Sequence, residues 1–187
     1  PILSSTEKNI GLYEFLEGRK LTPSELSKKH VLKAAYFFRD LNQGEKRDKS
    51  LPSASESCFS IEQHLLMIDS RFKRLQSIQS SLEVDRLACT FINNLEKKWR
   101  EIKASITSEA ELLSEELTSE DRCISPSDFG FHNAFLTDND SLNFIDFEYA
   151  GWDDPAKMVG DFFTQPEVPV SLEYFDEFIA EAMSYSK

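Results

Sequence analysis

Three oxygen-bearing side chains in two short segments, Asp128 and Asn133 in SPSDFGFHN and Asp146 in NFIDFEYAG, make a set suited to phosphoryl transfer. Moving a γ-phosphoryl group asks little covalent chemistry of a protein. The acceptor hydroxyl must be placed, and charge on the phosphates must be neutralised. Asp128 is the candidate base, orienting the hydroxyl and taking its proton. Asn133 and Asp146 are candidate ligands for Mg²⁺, because hard oxygen donors, one neutral and one anionic, suit that ion and leave room for nucleotide phosphates.

The elements around these residues must bring them together. The pattern predicts a strand over Cys123–Ser125, a loop through Asn133, and strands Ala134–Thr137 and Leu142–Phe147 about the turn Asp138–Ser141. Both ends of that hairpin are close in space, so the three side chains should converge although they are far apart in sequence. The rest reads as helices. Thr22-Pro23-Ser24-Glu25 predicts a helix start, with Thr22 as N-cap, Pro23 first and Glu25 closing a capping box, and the helix should reach about Gln43. Residues 44–57, GEKRDKSLPSASES, break the apolar spacing and predict a mobile loop. A second helix starts at Ser60, with Gln63 in its cap, and should bury Leu65, Ile68, Phe72 and Leu75. A third runs from about Leu82 through Leu87, Phe91, Leu95, Trp99, Ile102 and Ile106. Asp153 and Asp154 before Pro155 read as helix caps, with binding of a cationic substrate as the alternative. After Asp161, QPEVPV is extended, and a last amphipathic helix covers about Ser171–Ser184.

SPSDFGFHN together with FIDFEYAGWDDP resembles the catalytic loop and metal-binding segment of the aminoglycoside phosphotransferase and choline kinase family, small-molecule kinases with a protein-kinase-like fold. The family loop reads His-x-Asp with Asn five positions after the Asp, which implies Asp128 as base and Asn133 as metal ligand. Its Ile-Asp-Phe/Trp-Glu segment implies the same metal role for Asp146. The sequence departs from the pattern at Pro126, where the family commonly has His. The resemblance implies that Asp161, in VGDFF, braces the catalytic loop. It also matches GLYEFLEGRK to the family's interlobe hinge, so that backbone groups of Glu14 and Leu16 would bind adenine of ATP. Glu148 and Trp152 are candidates for the acceptor pocket, the Trp by cation–π contact. His132 reads as a hydrogen-bonding support for the loop, with a catalytic acid as the alternative.

On this mapping the expected fold is α+β and mostly helical: the C-terminal lobe of a protein-kinase-like fold with a short β-hairpin at the active site. Residues 1–20 would be the end of an N-lobe strand and the hinge, and 21–187 the C-lobe. No Gly-rich phosphate loop or strand Lys precedes Gly11, so the expectation is one lobe of a larger kinase, feeble alone. The 187 residues, 40% hydrophobic with 15 Phe, suffice for one core. A net charge of −12 argues against nucleic acid and is consistent with a cationic acceptor. No apolar run predicts a membrane span. Cysteines 58, 89 and 123 form no Cys-x-x-Cys pair, which points to a reducing cytoplasm.

The function expected is therefore an ATP- and Mg²⁺-dependent phosphotransferase acting on a hydroxyl of an aminoglycoside, amino sugar or choline-like compound. A non-catalytic binding or scaffold module of kinase descent is the alternative, motivated by Pro126. A helical protein with the hairpin as plain packing is a third reading, and it predicts that the three side chains scatter.

Overall fold

The computed structural model describes every residue except 1, 2, 6, 9, 45, 46, 80 and 187. Seven short strands and five α-helices follow one another among the described residues: β1 (Leu3–Ser5), β2 (Ile10–Leu12), β3 (Arg19–Lys20), α1 (Lys28–Asn42), α2 (Ile61–Gln76), α3 (Glu83–Glu109), β4 (Cys123–Ser125), β5 (Ala134–Leu136), β6 (Leu142–Phe144), β7 (Gly151–Asp153), α4 (Pro155–Thr164) and α5 (Phe175–Ala182). β1 and β2 form a hairpin, β3-β5-β6 an antiparallel sheet, and β4 pairs antiparallel with β7. About half of the protein is helical.

Phenylalanine builds the core. Phe162 stacks on Phe178 at 4.5 Å and meets Phe129 at 5.0 Å, and Phe129 lies 5.0 Å from Phe144. Val31, Ala34, Ala35 and Phe38 turn one stripe of α1 into this cluster, against Phe178 and Ala182 of α5. The fully buried Phe131 completes it, so the loop between β4 and β5 is anchored by its own aromatic side chains.

α1 starts later than its cap signal predicts. Thr22 and Glu25 do form a capping box, but the turn they open is a single 3₁₀ turn, Pro23–Glu25, because Leu26 takes an extended backbone (φ −61°, ψ 132°) and packs on the core. Ser27 then caps α1. At the far end, Asn42 is 1% exposed and fastens α1 to β4. Its Nδ2 donates to Phe38 O (3.1 Å) and Ile124 O (3.0 Å), and its Oδ1 accepts from Ile124 N (2.7 Å). Asn42→Ala should cost about 2 kcal/mol in urea unfolding, because it leaves backbone groups of Ile124 buried without partners. A loss below about 0.5 kcal/mol would mean that water takes over the amide's bonds.

Residues 52–55 contradict the predicted mobile loop. Trp152 N donates to Pro52 O (2.9 Å), Ala54 N to Trp152 O (2.9 Å) and Ser55 N to Tyr149 O (3.0 Å), so this stretch is fastened beside β7 by an isolated parallel bridge at Ser53. Polar and Pro-rich composition marks irregular backbone, but the free edge of β7 satisfies its hydrogen bonds. Residues 45 and 46 of the same predicted loop lie outside the described residues.

α3 also differs. Its period is helical as predicted, yet Leu87, Phe91, Leu95 and Ile102 are exposed, while Ile92 and Trp99 are buried. Trp99 Nε1 donates to Asp69 Oδ1 at 2.8 Å, and Lys103 pairs with the same carboxylate, which sets the rotation of α3 on α2. On α2 the buried residue is Leu65; Ile68 and Phe72 are half-buried, and Leu75 is exposed. No helix of the described residues is long and apolar enough to cross a membrane.

The β5–β6 turn is held from outside. Asp140, in left-handed conformation (φ 63°), pairs with Lys33 at 2.6 Å and with Lys29. Hydrogen bonds from Lys29 and Lys33 pull its carboxyl from the ordinary 3.8 down to about 2. The folded pKa lies below the unfolded one, so this clamp contributes in full above pH 4 and is lost as pH falls through about 2. Asp140→Asn, which tolerates the left-handed turn, should flatten the dependence of the urea midpoint on pH between about 4 and 2. An unchanged slope would show that other carboxylates carry it.

Candidate active site

The loop after β4 presents Asp128 by strain and anchoring. Ser125 is fully buried, and its Oγ accepts from Ser127 N at 3.0 Å. Asp128 N donates to Pro126 O at 3.0 Å around Ser127, whose φ is 69°. An i→i+2 bond about a positive φ marks a γ-turn of the rare, strained kind, and such backbone persists where surroundings over-determine it. Here they do: Ser127 Oγ donates to Ser55 O (3.3 Å), and Phe129 and Phe131 plunge into the core on the other side. Asp128 points outward between these anchors, its side chain 58% exposed.

A 3₁₀ turn, Phe131–Asn133, carries the next residue back to it. Asn133 Nδ2 donates to Asp128 O (3.1 Å) and Asp128 Oδ2 (3.2 Å), and His132 Nε2 lies 3.1 Å from the same Oδ2. With its amide nitrogen so engaged, Asn133 has its carbonyl oxygen left for another partner.

Asp146 arrives from the partner strand. Ile145 N donates to Asn133 O (2.9 Å), which carries the β5–β6 ladder one step beyond β6 and sets Asp146 beside the Asp128 loop. Asp146 itself has φ 65°, and Phe147 then stacks on Phe37 at 6.0 Å. The Tyr149 hydroxyl senses the cluster. Its pKa is raised by a hydrogen bond to Glu148 and that group's charge, with Asp146 and Asp128 adding to the effect. The structure thus brings Asp128 and Asn133 into contact, and the bond from Ile145 N to Asn133 O holds the residue before Asp146 at the same end of the hairpin.

A cleft opens on each side of this group. The larger, about 960 Å³, runs between Tyr13–Leu16 and the segment Phe144–Glu148; Glu14, Leu16, Asp146 and Glu148 all line it. The smaller, about 340 Å³, is lined by Asp128, Tyr149, Glu56, Arg71, Lys157 and Asp161, among others. Glu148 and Trp152 are therefore not one pocket. Trp152 lines a separate hollow, with the Arg47 guanidinium 4.9 Å from its ring centre, because alternation along β7 sends its side chain opposite to the buried Asp153.

Asp161 touches no part of the Asp128 loop through a hydrogen bond. It bonds Lys157 at 2.7 Å on the wall of the smaller cleft. Burial raises its carboxyl pKa, with the Lys157 hydrogen bond pulling the other way. Burial opposes the charge on Lys157, but Asp161 and Asp153 outweigh it, and the ammonium pKa rises. Asp153, by contrast, has a side chain that is wholly buried. Its Oδ1 accepts from Cys58 N (3.1 Å) and Asp154 N (2.9 Å), and its Oδ2 faces Lys157 Nζ at 3.2 Å. Asp154 is the cap of α4: its Oδ1 accepts from Ala156 N (2.8 Å), and its Oδ2 meets His64 Nε2 (2.8 Å). One helix needs one cap, so the doubled Asp before Pro155 was the sequence signal that the other had different work.

Among the described residues, no three His, Cys, Asp or Glu side chains come close enough together to hold a metal ion. The oxygen set of Asn133 and Asp146 still fits Mg²⁺, which is ordinarily bound through one or two carboxylates, with phosphates and water completing its shell.

No protein-family model and no curated protein matches this sequence. Solved structures do resemble it. One is a choline/ethanolamine kinase family protein from Mesorhizobium loti, with TM-score 0.53, 16% identity, and 88% of this chain matched to 48% of that one. Another is an ethanolamine kinase from Plasmodium vivax, with TM-score 0.52, 17% identity, and 91% of this chain matched to 48% of that one. Both belong to the group with a protein-kinase-like fold, and this chain spans about half the length of each. At such identity the likeness establishes fold.

Proposed function

We propose, with the kinase-like fold as premise, that this chain is the C-terminal lobe of an ATP- and Mg²⁺-dependent phosphotransferase acting on a hydroxyl of a small, amine-bearing molecule. The observation that carries the reading is the junction of two clefts at one group of oxygen donors, with Asp128 facing the smaller cleft and Asp146 the larger. Nucleotide belongs in the larger one, where the backbone around Glu14 and Leu16 offers C=O and N–H groups to adenine. The acceptor belongs in the smaller one. Its carboxylates, Glu56, Asp128 and Asp161, outnumber its cations, Arg71 and Lys157, and Tyr149 adds an aromatic face. That lining favours choline-like alcohols, ethanolamine or amino sugars.

Asp128 would orient the acceptor hydroxyl and take its proton. Asn133 Oδ1 and the Asp146 carboxylate would hold Mg²⁺, which supplies neutralising charge for the β- and γ-phosphates. The three thiols, none of them in a disulfide, suit a cytoplasmic enzyme.

The test uses the whole protein that carries this lobe, with Mg²⁺-ATP and a panel of choline, ethanolamine, amino sugars and an aminoglycoside, read by phosphorus NMR. Transfer to at least one amine-bearing alcohol is expected, with Mg²⁺-dependent ATP binding in calorimetry. Absence of both transfer and ATP binding would sink the proposal. Binding of nucleotide and acceptor without transfer would favour the scaffold reading.

A further inference from the structure

The turn before α2 holds a glutamate in a conformation that glutamate resists. Ser57 N donates to Ala54 O (3.1 Å), and Glu56, the third residue of this turn, has φ 53°. That position calls for Gly or Asn, and a longer side chain there strains the backbone. The surroundings impose it: Ala54 N donates to Trp152 O (2.9 Å), Ser55 N to Tyr149 O (3.0 Å) and Cys58 N to Asp153 Oδ1 (3.1 Å). So fastened, the turn carries the Glu56 side chain to the smaller cleft, where Arg71 of α2 donates from Nη2 to its Oε2.

Three carboxylates line that cleft, and two are committed. Asp128 accepts from Asn133 Nδ2 (3.2 Å) and faces the reacting hydroxyl in the proposed reaction. Asp161 accepts from Lys157 Nζ (2.7 Å), whose side chain is 7% exposed. Lys157 also faces the wholly buried Asp153, so it cannot leave without stranding that carboxylate in the core. Arg71 can leave. Its side chain is 45% exposed and that of Glu56 51%, and among the described residues Arg71 donates to no other group. A pair so open to water is weak, and the guanidinium regains its hydration when it swings out.

We infer that Glu56 is the specificity-determining residue of this cleft: its carboxylate takes the ammonium group of the acceptor, and Arg71 is the cation displaced when the acceptor enters. The inference rests on the smaller cleft being the acceptor site of the proposed phosphotransferase. An uncharged alcohol has no charge to exchange for that of Arg71 and must bind with the ion pair standing, which sets it apart from a cationic one.

The experiment compares the best amine-bearing acceptor with its uncharged counterpart, in the whole protein with Mg²⁺-ATP: choline with 3,3-dimethylbutan-1-ol, ethanolamine with propan-1-ol, or glucosamine with glucose. Glu56→Gln should raise KM for the cationic acceptor about 20-fold, with kcat within about threefold and KM for the uncharged alcohol within about twofold of wild type. Arg71→Met, which breaks the same ion pair from its other side, should lower KM for the cationic acceptor about threefold. A pair that only fastened α2 to the turn would move KM the same way in both variants. If Glu56→Gln does not fold, Glu56→Gly, suited to the left-handed position, serves the same comparison. A rise below about threefold in the Glu56 variant, an equal rise for both alcohols, or no fall in Arg71→Met overturns the inference while leaving the phosphotransferase reading in place. A wild-type protein that transfers phosphate to none of these alcohols overturns both.

Discussion

Asp128→Asn is expected to slow phosphate transfer by about 1,000-fold, in line with the loss of a positioned general base. The substitution is nearly isosteric, and the side chain is 58% exposed, so the γ-turn about Ser127 and the buried Phe129 and Phe131 should hold the loop as before. On the proposed reading, what disappears is the capacity to take the acceptor's proton. Nucleotide affinity should change little, because the larger cleft does not include Asp128. Steady-state kinetics with Mg²⁺-ATP, alongside thermal melting of both proteins, checks this. Turnover within about tenfold of wild type, with an unchanged melting point, would remove Asp128 from the chemistry.

The second large effect is on stability. A Cβ on Gly151 would stand 2.3 Å from Pro52 O and 2.7 Å from Ala54 N, distances at which backbone must move. Gly151→Val should therefore cost about 4 kcal/mol, by prying residues 52–55 off β7 and straining the hydrogen bonds that join them. Equilibrium urea unfolding measures it. Through Ser127 Oγ and Ser55 O the same displacement reaches the Asp128 loop, so a surviving variant should also lose the proposed transfer. A cost below about 1 kcal/mol would show that the strip beside β7 is dispensable.

Local chemistry was legible in the sequence. Ser60 and Gln63 marked the start of α2, Asp154 and Pro155 that of α4, and the alternation on either side of Asp138–Ser141 marked the β5–β6 hairpin. From that hairpin the closeness of Asn133 and Ile145, the residue before Asp146, followed, because antiparallel register ties the residue before β5 to the residue after β6. These features depend on neighbours a few positions apart, and sequence records such neighbours directly.

Orientation was not legible. Helical spacing on α3 offered two apolar stripes, and only the Asp69 contacts of Trp99 and Lys103 turned Ile92 inward and Phe91 outward. Nor did residues 52–55 announce their attachment to β7, since the hydrogen bonds that hold them come from residues far along the chain. The division of Asp153 from Asp154 and the removal of Trp152 from both clefts share that origin. Residue types and short spacings determined which groups this protein has for chemistry. Which groups face one another was decided by long-range packing, whose partners no local pattern names.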